Sequence, residues 1–368
     1  MAENSTDYTD RIAFFEAETL RFLRTFESIQ ENLKIGDVKD SQAQLLETTA
    51  DMFRRFNREV RETTAPPART EFHQRLCEGM GELEKSFDLF MTAPNPNWTR
   101  AFLFSRRAFC RALYVFYEVR SELPTLRSYF VSDGSVAEAD NARAGAAGTV
   151  VGFIHRERTR ERSDYSAYVP ENYTRDKKWP LIICLHGGYG EGFEYIMTWL
   201  RPARTKGYFL LSPKSFGDTW SMTLNSIDTR SVMRMLDDLR SEYEIDPSRI
   251  FLTGLSDGGI FTYIMGIERH ELFAGIAPVA GALHMTVDPM LRTKTGIEVP
   301  IFVVHGVHDF IFPVQFTRQT NELLKEIGYD LKYEELPDWG HAFTYSINER
   351  LVMPWFEHLP SRSDTTNS

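Results

Sequence analysis

The chain of 368 residues predicts two unlike parts. An all-α N-terminal helical bundle covers residues 1–140, and an α/β domain, a mostly parallel sheet flanked by helices, covers 141–368. Three observations predict this. Only Gly36, Gly79, Gly81 and Gly134 of the chain's 23 glycines fall in the first part, and glycine is costly inside helices but useful at turns. Apolar residues of the first part recur at three- and four-residue steps, the period of a helix face. Beyond residue 148, short uninterrupted apolar runs alternate with helix-like stretches, as in a parallel sheet buried on both faces.

Four helices account for the first part. Ile12, Phe15, Thr19, Phe22, Leu23, Phe26 and Ile29 make one apolar face, and Leu45, Leu46, Thr49, Met52, Phe53, Phe56 and Val60 make a second. Phe72, Leu76, Leu83, Phe87 and Phe90 make the third, and Trp98, Phe102, Phe109, Leu113 and Phe116 the fourth. Gly36-Asp37, Pro66-Pro67, Pro94-Asn-Pro96 and Pro124 break the pattern between and after them. Short links favour antiparallel neighbours and hence a bundle. Ser132 to Gly148 is small, polar and weakly patterned, and is expected to be a linker.

In the second part, residues 149–155 and 165–169 alternate as strands, with the charged run 156–162 as a solvated hairpin end. The later strands are expected at 181–185, 208–211, 250–253, 276–279, 301–304 and 331–336. The charge balance of −10 disfavours nucleic acid and anionic membrane surfaces as partners, since both need a basic face. No run of 18 apolar residues predicts a membrane span. The polar, acidic start MAENSTDYTD does not read as a signal peptide. The three cysteines, Cys77, Cys110 and Cys184, form no Cys-x-x-Cys pair and suggest neither a disulfide framework nor a thiolate metal site. A cytoplasmic protein is expected.

The chemistry gathers at strand ends. Gly254-Leu-Ser256-Asp-Gly258-Gly259 follows one expected strand and opens a helix. A serine on so tight a turn needs tiny neighbours, and its hydroxyl is then exposed at a helix N-terminus. Such a serine needs a base, and the base an orienting acid. His341 lies in a loop after the last strand, and Asp309 in the loop after strand 301–304. Both sit where open α/β sheets place their sites. His186-Gly187-Gly188-Tyr189-Gly190, after strand 181–185, offers backbone N–H groups. It lacks the Lys-Ser/Thr of a phosphate loop. An oxyanion hole takes one donor from such a loop and one from the residue after the nucleophile. Gly188 is assigned the first, with Tyr189 as the neighbouring alternative, and Asp257 the second.

These motifs resemble the α/β-hydrolase-fold serine esterases. They are nearest the phospholipase/carboxylesterase, feruloyl-esterase and polyhydroxybutyrate-depolymerase-like group. Residues 185–190, 228–259, 305–313 and 339–343 carry the resemblance, which spans roughly 148–360 and leaves the N-terminal helices aside. The order Ser256, Asp309, His341 is that fold's nucleophile–acid–base order. The resemblance implies ester hydrolysis of a small-molecule substrate through an acyl-enzyme, with neither metal nor cofactor. His305 and His308 beside Asp309 could be read as metal ligands, but the family pattern has an ordinary glycine turn there. Tyr189 and Trp220 are candidates for substrate binding. A serine peptidase of the same fold, or a binding or scaffold protein that keeps the fold without catalysis, remain the alternatives. The N-terminal helices are expected to form a homodimer interface or an active-site lid, because Phe14, Phe104 and Phe130 fall off the main apolar stripes.

Overall fold

The computed structural model describes residues 2–49, 51–92, 98–132, 149–156, 164–293 and 299–362. The expected linker and charged run, apart from Ser132 and Arg156, and the Pro94–Pro96 breaker lie outside them. Two compact units divide the chain, Met1–Gly134 and Ser135–Ser368.

The described residues of the first unit form the helices α1 (Ala2–Asn32), α2 (Val38–Thr49), α3 (Met52–Phe56), α4 (Thr70–Met91) and α5 (Trp98–Val119), with shorter helical turns between and after them. The periodic apolar faces turn inward, so that Phe15, Phe22, Phe26, Phe56, Phe90, Phe109 and Phe116 are all at most 1% exposed. Phe26 meets Phe90 and Phe109 edge-on, with ring centroids 5.4 and 5.2 Å apart, the arrangement aromatic quadrupoles favour. The second expected helix is broken in two between Thr49 and Met52. Thr48 and Thr49 turn their hydroxyls back onto the carbonyls of Gln44 and Leu45, a competition with the helix ladder that periodicity does not register. Phe130 is also not surplus surface. It is 1% exposed, packed edge-on against Tyr117 and Tyr129. Phe14 and Phe104 do reach solvent, beneath the guanidinium groups of Arg55 and of Arg100 and Arg107 respectively.

The second unit holds one eight-stranded sheet in the order β1-β2-β4-β3-β5-β6-β7-β8. Its strands are β1 (Gly152–Arg156), β2 (Tyr165–Val169), β3 (Trp179–Leu185), β4 (Phe209–Pro213), β5 (Ile245–Leu255), β6 (Gly275–Val279), β7 (Ile301–Gly306) and β8 (Leu331–Leu336). The β1–β2 and β2–β4 pairs are antiparallel and the rest parallel. The uninterrupted apolar runs became the central strands, whose Leu181, Ile183, Ile250, Leu252, Ile276 and Ile301 are fully covered. The mixed-polarity run 331–336 became the half-exposed edge strand. Helix Ile227–Glu242 starts where the Ser226 hydroxyl accepts the Thr229 N–H at 3.0 Å, a cap that satisfies one orphan donor. Among the described residues no helix is long and apolar enough to cross a membrane.

One buried ion pair tests the packing of this unit. The Arg204 side chain is fully covered, and its Nε donates to Glu171 Oε1 at 2.9 Å, while the Tyr168 hydroxyl donates to the other carboxylate oxygen at 2.5 Å. Glu171→Ala removes one member of this covered pair together with the acceptor of the Tyr168 hydroxyl, and should cost about 3–5 kcal/mol in urea unfolding. A change below about 1 kcal/mol, the scale of an exposed pair, would refute the buried role.

Candidate active site

Ser256 stands where β5 gives way to the helix Asp257–Glu268. Its backbone is at φ 59° and ψ −121°, a region that strains any residue bearing a Cβ and persists only when surroundings enforce it. They do so here. The Ser256 N–H donates to Val279 O on β6 at 3.0 Å, and its own carbonyl accepts the Ile260 N–H at 2.9 Å. The turn also brings backbone against backbone. A Cβ on Gly254 would lie 2.4 Å from Gly258 O, and one on Gly258 would lie 2.4 Å from Leu185 O and 2.6 Å from His186 O. Only glycine fits either position.

His341, in the loop after β8, reaches both other members of the predicted trio. Its Nε2 lies 2.9 Å from Ser256 Oγ and its Nδ1 2.8 Å from Asp309 Oδ2. A carboxylate accepts only, so Nδ1–H donates to Asp309 and Nε2 is left to accept from the serine hydroxyl. The Asp309 side chain is fully covered, and its Oδ1 accepts the Ile311 and Phe312 N–H groups, each at 2.8 Å. Burial pushes its carboxyl pKa up, but the bond and charge of His341 and the two backbone donors outweigh burial and hold it below the usual carboxylate value. Asp309 is thus held as an anion against the imidazole.

Behind Asp309, His305 closes the same turn. Its Nε2–H donates to Phe312 O at 2.8 Å and its Nδ1 accepts from Thr317 Oγ1 at 3.1 Å. These bonds commit both ring nitrogens to protein atoms. Among the described residues no group of three or more His, Cys, Asp or Glu comes together to hold a metal ion.

The loop after β3 is fastened by side chains from distant segments. Trp220, a candidate substrate contact, is 1% exposed, stacked on Phe261 with centroids 5.0 Å apart, and its Nε1–H donates to His186 O at 2.7 Å. Tyr189, at φ 58°, gives its N–H to Asp218 O at 2.6 Å. That N–H is therefore taken, leaving Gly188 as the loop's candidate donor, while the Tyr189 ring is 66% exposed and stays a candidate contact. His186 accepts the Ser215 N–H on Nε2 at 3.1 Å. Asp228, which opens the segment 228–259, has a role of its own. Buried at the start of helix Ile227–Glu242, it accepts the Phe216 N–H at 2.7 Å and the Ser221 N–H and hydroxyl at 2.8 and 2.6 Å. Its sequence signals are its place at the head of segment 228–259 and an acid in a helix's first turn. Phe310 and Ile311, about half exposed, complete an apolar lip beside His341.

The buried histidine gives this site a measurable acid sensitivity. Burial, opposed by its bond to Phe312 O and by the Asp309 charge, holds His305 below the ordinary histidine value, with His341 and Glu335 the other charged neighbours. The unfolded chain binds that proton near pH ~6.5. As pH falls below this value the unfolded state gains a proton the folded state refuses, so stability declines until the lower folded pKa is passed. Asp309 adds its loss further down, below the usual carboxylate range. The Tm should therefore fall between pH 7.5 and 5.5, and more shallowly in His305→Gln. Equal slopes would remove His305 from the account.

Residues 225–352 match the phospholipase/carboxylesterase family. The chain is 30% identical over 156 residues to a bifunctional acetylxylan esterase/xylanase of Neocallimastix patriciarum, covering 41% of this chain and 22% of that protein. It is 28% identical over 128 residues to poly(3-hydroxyalkanoate) depolymerase C of Paucimonas lemoignei, covering 32% and 31%. It is 31% identical over 108 residues to acyl-protein thioesterase 1 of Gibberella zeae, covering 27% and 46%. The matched stretches span less than half the length of each of these relatives. The second unit has the α/β-hydrolase fold, and its sequence is similar to esterase- and thioesterase-type hydrolases of that fold, with the phospholipase/carboxylesterase family matched over residues 225–352.

Proposed function

We propose that this chain is a serine carboxylesterase that cleaves small-molecule esters through an acyl-enzyme on Ser256. The observation that carries the reading is the unbroken relay from Ser256 Oγ through His341 to the anchored Asp309, with contacts of 2.9 and 2.8 Å. His341 takes the hydroxyl proton as Oγ adds to the ester carbonyl, and returns it to the leaving alcohol as the tetrahedral centre collapses. Asp309 holds the ring in the accepting tautomer and stabilises its charged form. The Gly188 and Asp257 N–H groups receive the developing oxyanion, the second at the start of a helix whose dipole favours negative charge. Water, activated by His341 in turn, releases the acid. Thioesters present the same electrophile and belong in the assay beside oxygen esters.

A reducing, cytoplasmic setting is part of this proposal, supported by three cysteines that form no disulfide. So is homodimerisation through the helical unit, for which Phe14, Leu46 and Phe104 remain as exposed apolar surface. A monomer by light scattering of the full chain would remove that part alone.

The central test is covalent. A fluorophosphonate should label the wild type at Ser256, and Ser256→Ala should escape labelling while keeping the wild-type Tm. Against p-nitrophenyl esters from acetate to palmitate, the variant's kcat should drop by more than about 10³-fold, as expected for loss of a nucleophile. Retention of more than about a tenth of kcat would reject the assignment. Absence of labelling would favour a binding protein, and preference for a peptide anilide over every ester would favour a peptidase.

A further inference from the structure

The Asp257 main chain serves the proposed oxyanion site, but its side chain has a separate and fixed place. Asp257 Oδ2 accepts a hydrogen bond from Thr219 Oγ1 at 2.5 Å. Thr219 belongs to the loop between β4 and helix Ile227–Glu242, which is itself fastened on both sides. Asp218 O receives the Tyr189 N–H, Trp220 Nε1–H reaches His186 O, and the Asp228 carboxylate accepts the Ser221 N–H. The Asp257 carboxylate is thereby pressed against the oxyanion loop, where a Cβ on Gly188 would lie 2.5 Å from Oδ2.

That contact bounds a distance that matters for charge. The N and Cβ of one residue are about 2.5 Å apart, so Oδ2 lies within about 5 Å of the Gly188 amide nitrogen. A carbonyl oxygen bound by that amide would be about 3 Å beyond it. The charge therefore stands within one Debye length, about 8 Å at physiological salt, of the scissile group. The lysine beside this loop has partners of its own. Lys214 Nζ donates to Gly190 O and Gly217 O and faces Glu191 at 3.8 Å.

We propose that Asp257, held in place by Thr219, is a specificity residue whose charge beside the scissile carbonyl favours neutral and cationic esters and turns away esters with an anionic acyl part. The inference rests on the ester-hydrolase reading and deepens it, since like charges brought into one site repel through the protein surface far more than through bulk water.

The test compares kcat/KM for p-nitrophenyl butyrate, its trimethylammonium-substituted analogue and the p-nitrophenyl monoester of glutaric acid. Wild type should prefer butyrate to the glutarate monoester by about tenfold or more, and accept the cationic ester at least as well as butyrate, as for a single nearby charge. Asp257→Asn keeps an acceptor for Thr219 and removes the charge, so the butyrate-to-glutarate ratio should shrink by about tenfold. Thr219→Ser keeps the bond and should leave the ratio as in wild type. Raising NaCl from about 20 to 500 mM should narrow the wild-type ratio but not that of Asp257→Asn, because salt screens a charge and leaves a steric preference untouched. An Asp257→Asn enzyme with an unchanged ratio, or a wild-type ratio insensitive to salt, overturns the proposal while leaving ester hydrolysis intact. Failure of the wild type to hydrolyse any of the three esters, together with no fluorophosphonate labelling, overturns the ester-hydrolase reading and this inference with it.

Discussion

The left-handed backbone at Ser256 is the constraint on which the rest of the site depends. A residue with a Cβ held there costs on the order of 1–3 kcal/mol and persists only where its surroundings over-determine it. The over-determination comes from three adjacent strands. β6 supplies the carbonyl for the Ser256 N–H, β3 ends in the carbonyls against which Gly258 is pressed, and β5 delivers the serine itself. The approach that strains the turn is also what brings the loop after β3 beside Ser256. The strained Ser256 turn and the close approach of the loop after β3 are two consequences of one packing event.

Charge inside this site is handled by saturating acceptors. Asp309 is a covered carboxylate, and such a group is tolerable only when its oxygens are occupied by donors. One oxygen takes two backbone N–H groups and the other takes His341. His305 solves the neighbouring problem differently, by staying neutral and using one nitrogen as donor and the other as acceptor. The two residues share one tight turn, so the geometry offered to His341 depends on both. Asp228 plays the corresponding part across the site, where it ties down the loop carrying Trp220 and Thr219.

The helical unit is organised by aromatic contact. Its phenylalanines meet edge to face across α1, α4 and α5, which buries area and satisfies ring electrostatics together. The few rings left outside are topped by arginines, whose guanidinium planes cover apolar surface and keep their own hydration at the edge. A phenylalanine off the main stripe, as at position 130, can therefore end in the core of its own unit.

The strand pattern, the serine elbow and the strand-end positions of Asp309 and His341 were legible in the sequence because each is a local demand of the backbone. Unbroken apolar runs record strands covered on both faces, and small residues around Ser256 record a turn without room for a Cβ. Position at a strand end singles out Asp309 and His341, although His341 and Ser256 meet across 85 residues. The partners of individual polar atoms were not legible. Trp220 reads like a pocket aromatic until its N–H is found on His186 O, 34 residues away. Tyr189 reads as an alternative oxyanion donor until Asp218 is seen to occupy its N–H. Asp228 and His305 carry no periodic signal at all. The sequence by itself determined where the chain is extended, helical or sharply turned, since these follow from side-chain size and spacing within a few residues. Tertiary structure alone decided which donor meets which acceptor, because those pairings are set by the crossing of distant segments and leave no pattern along the chain.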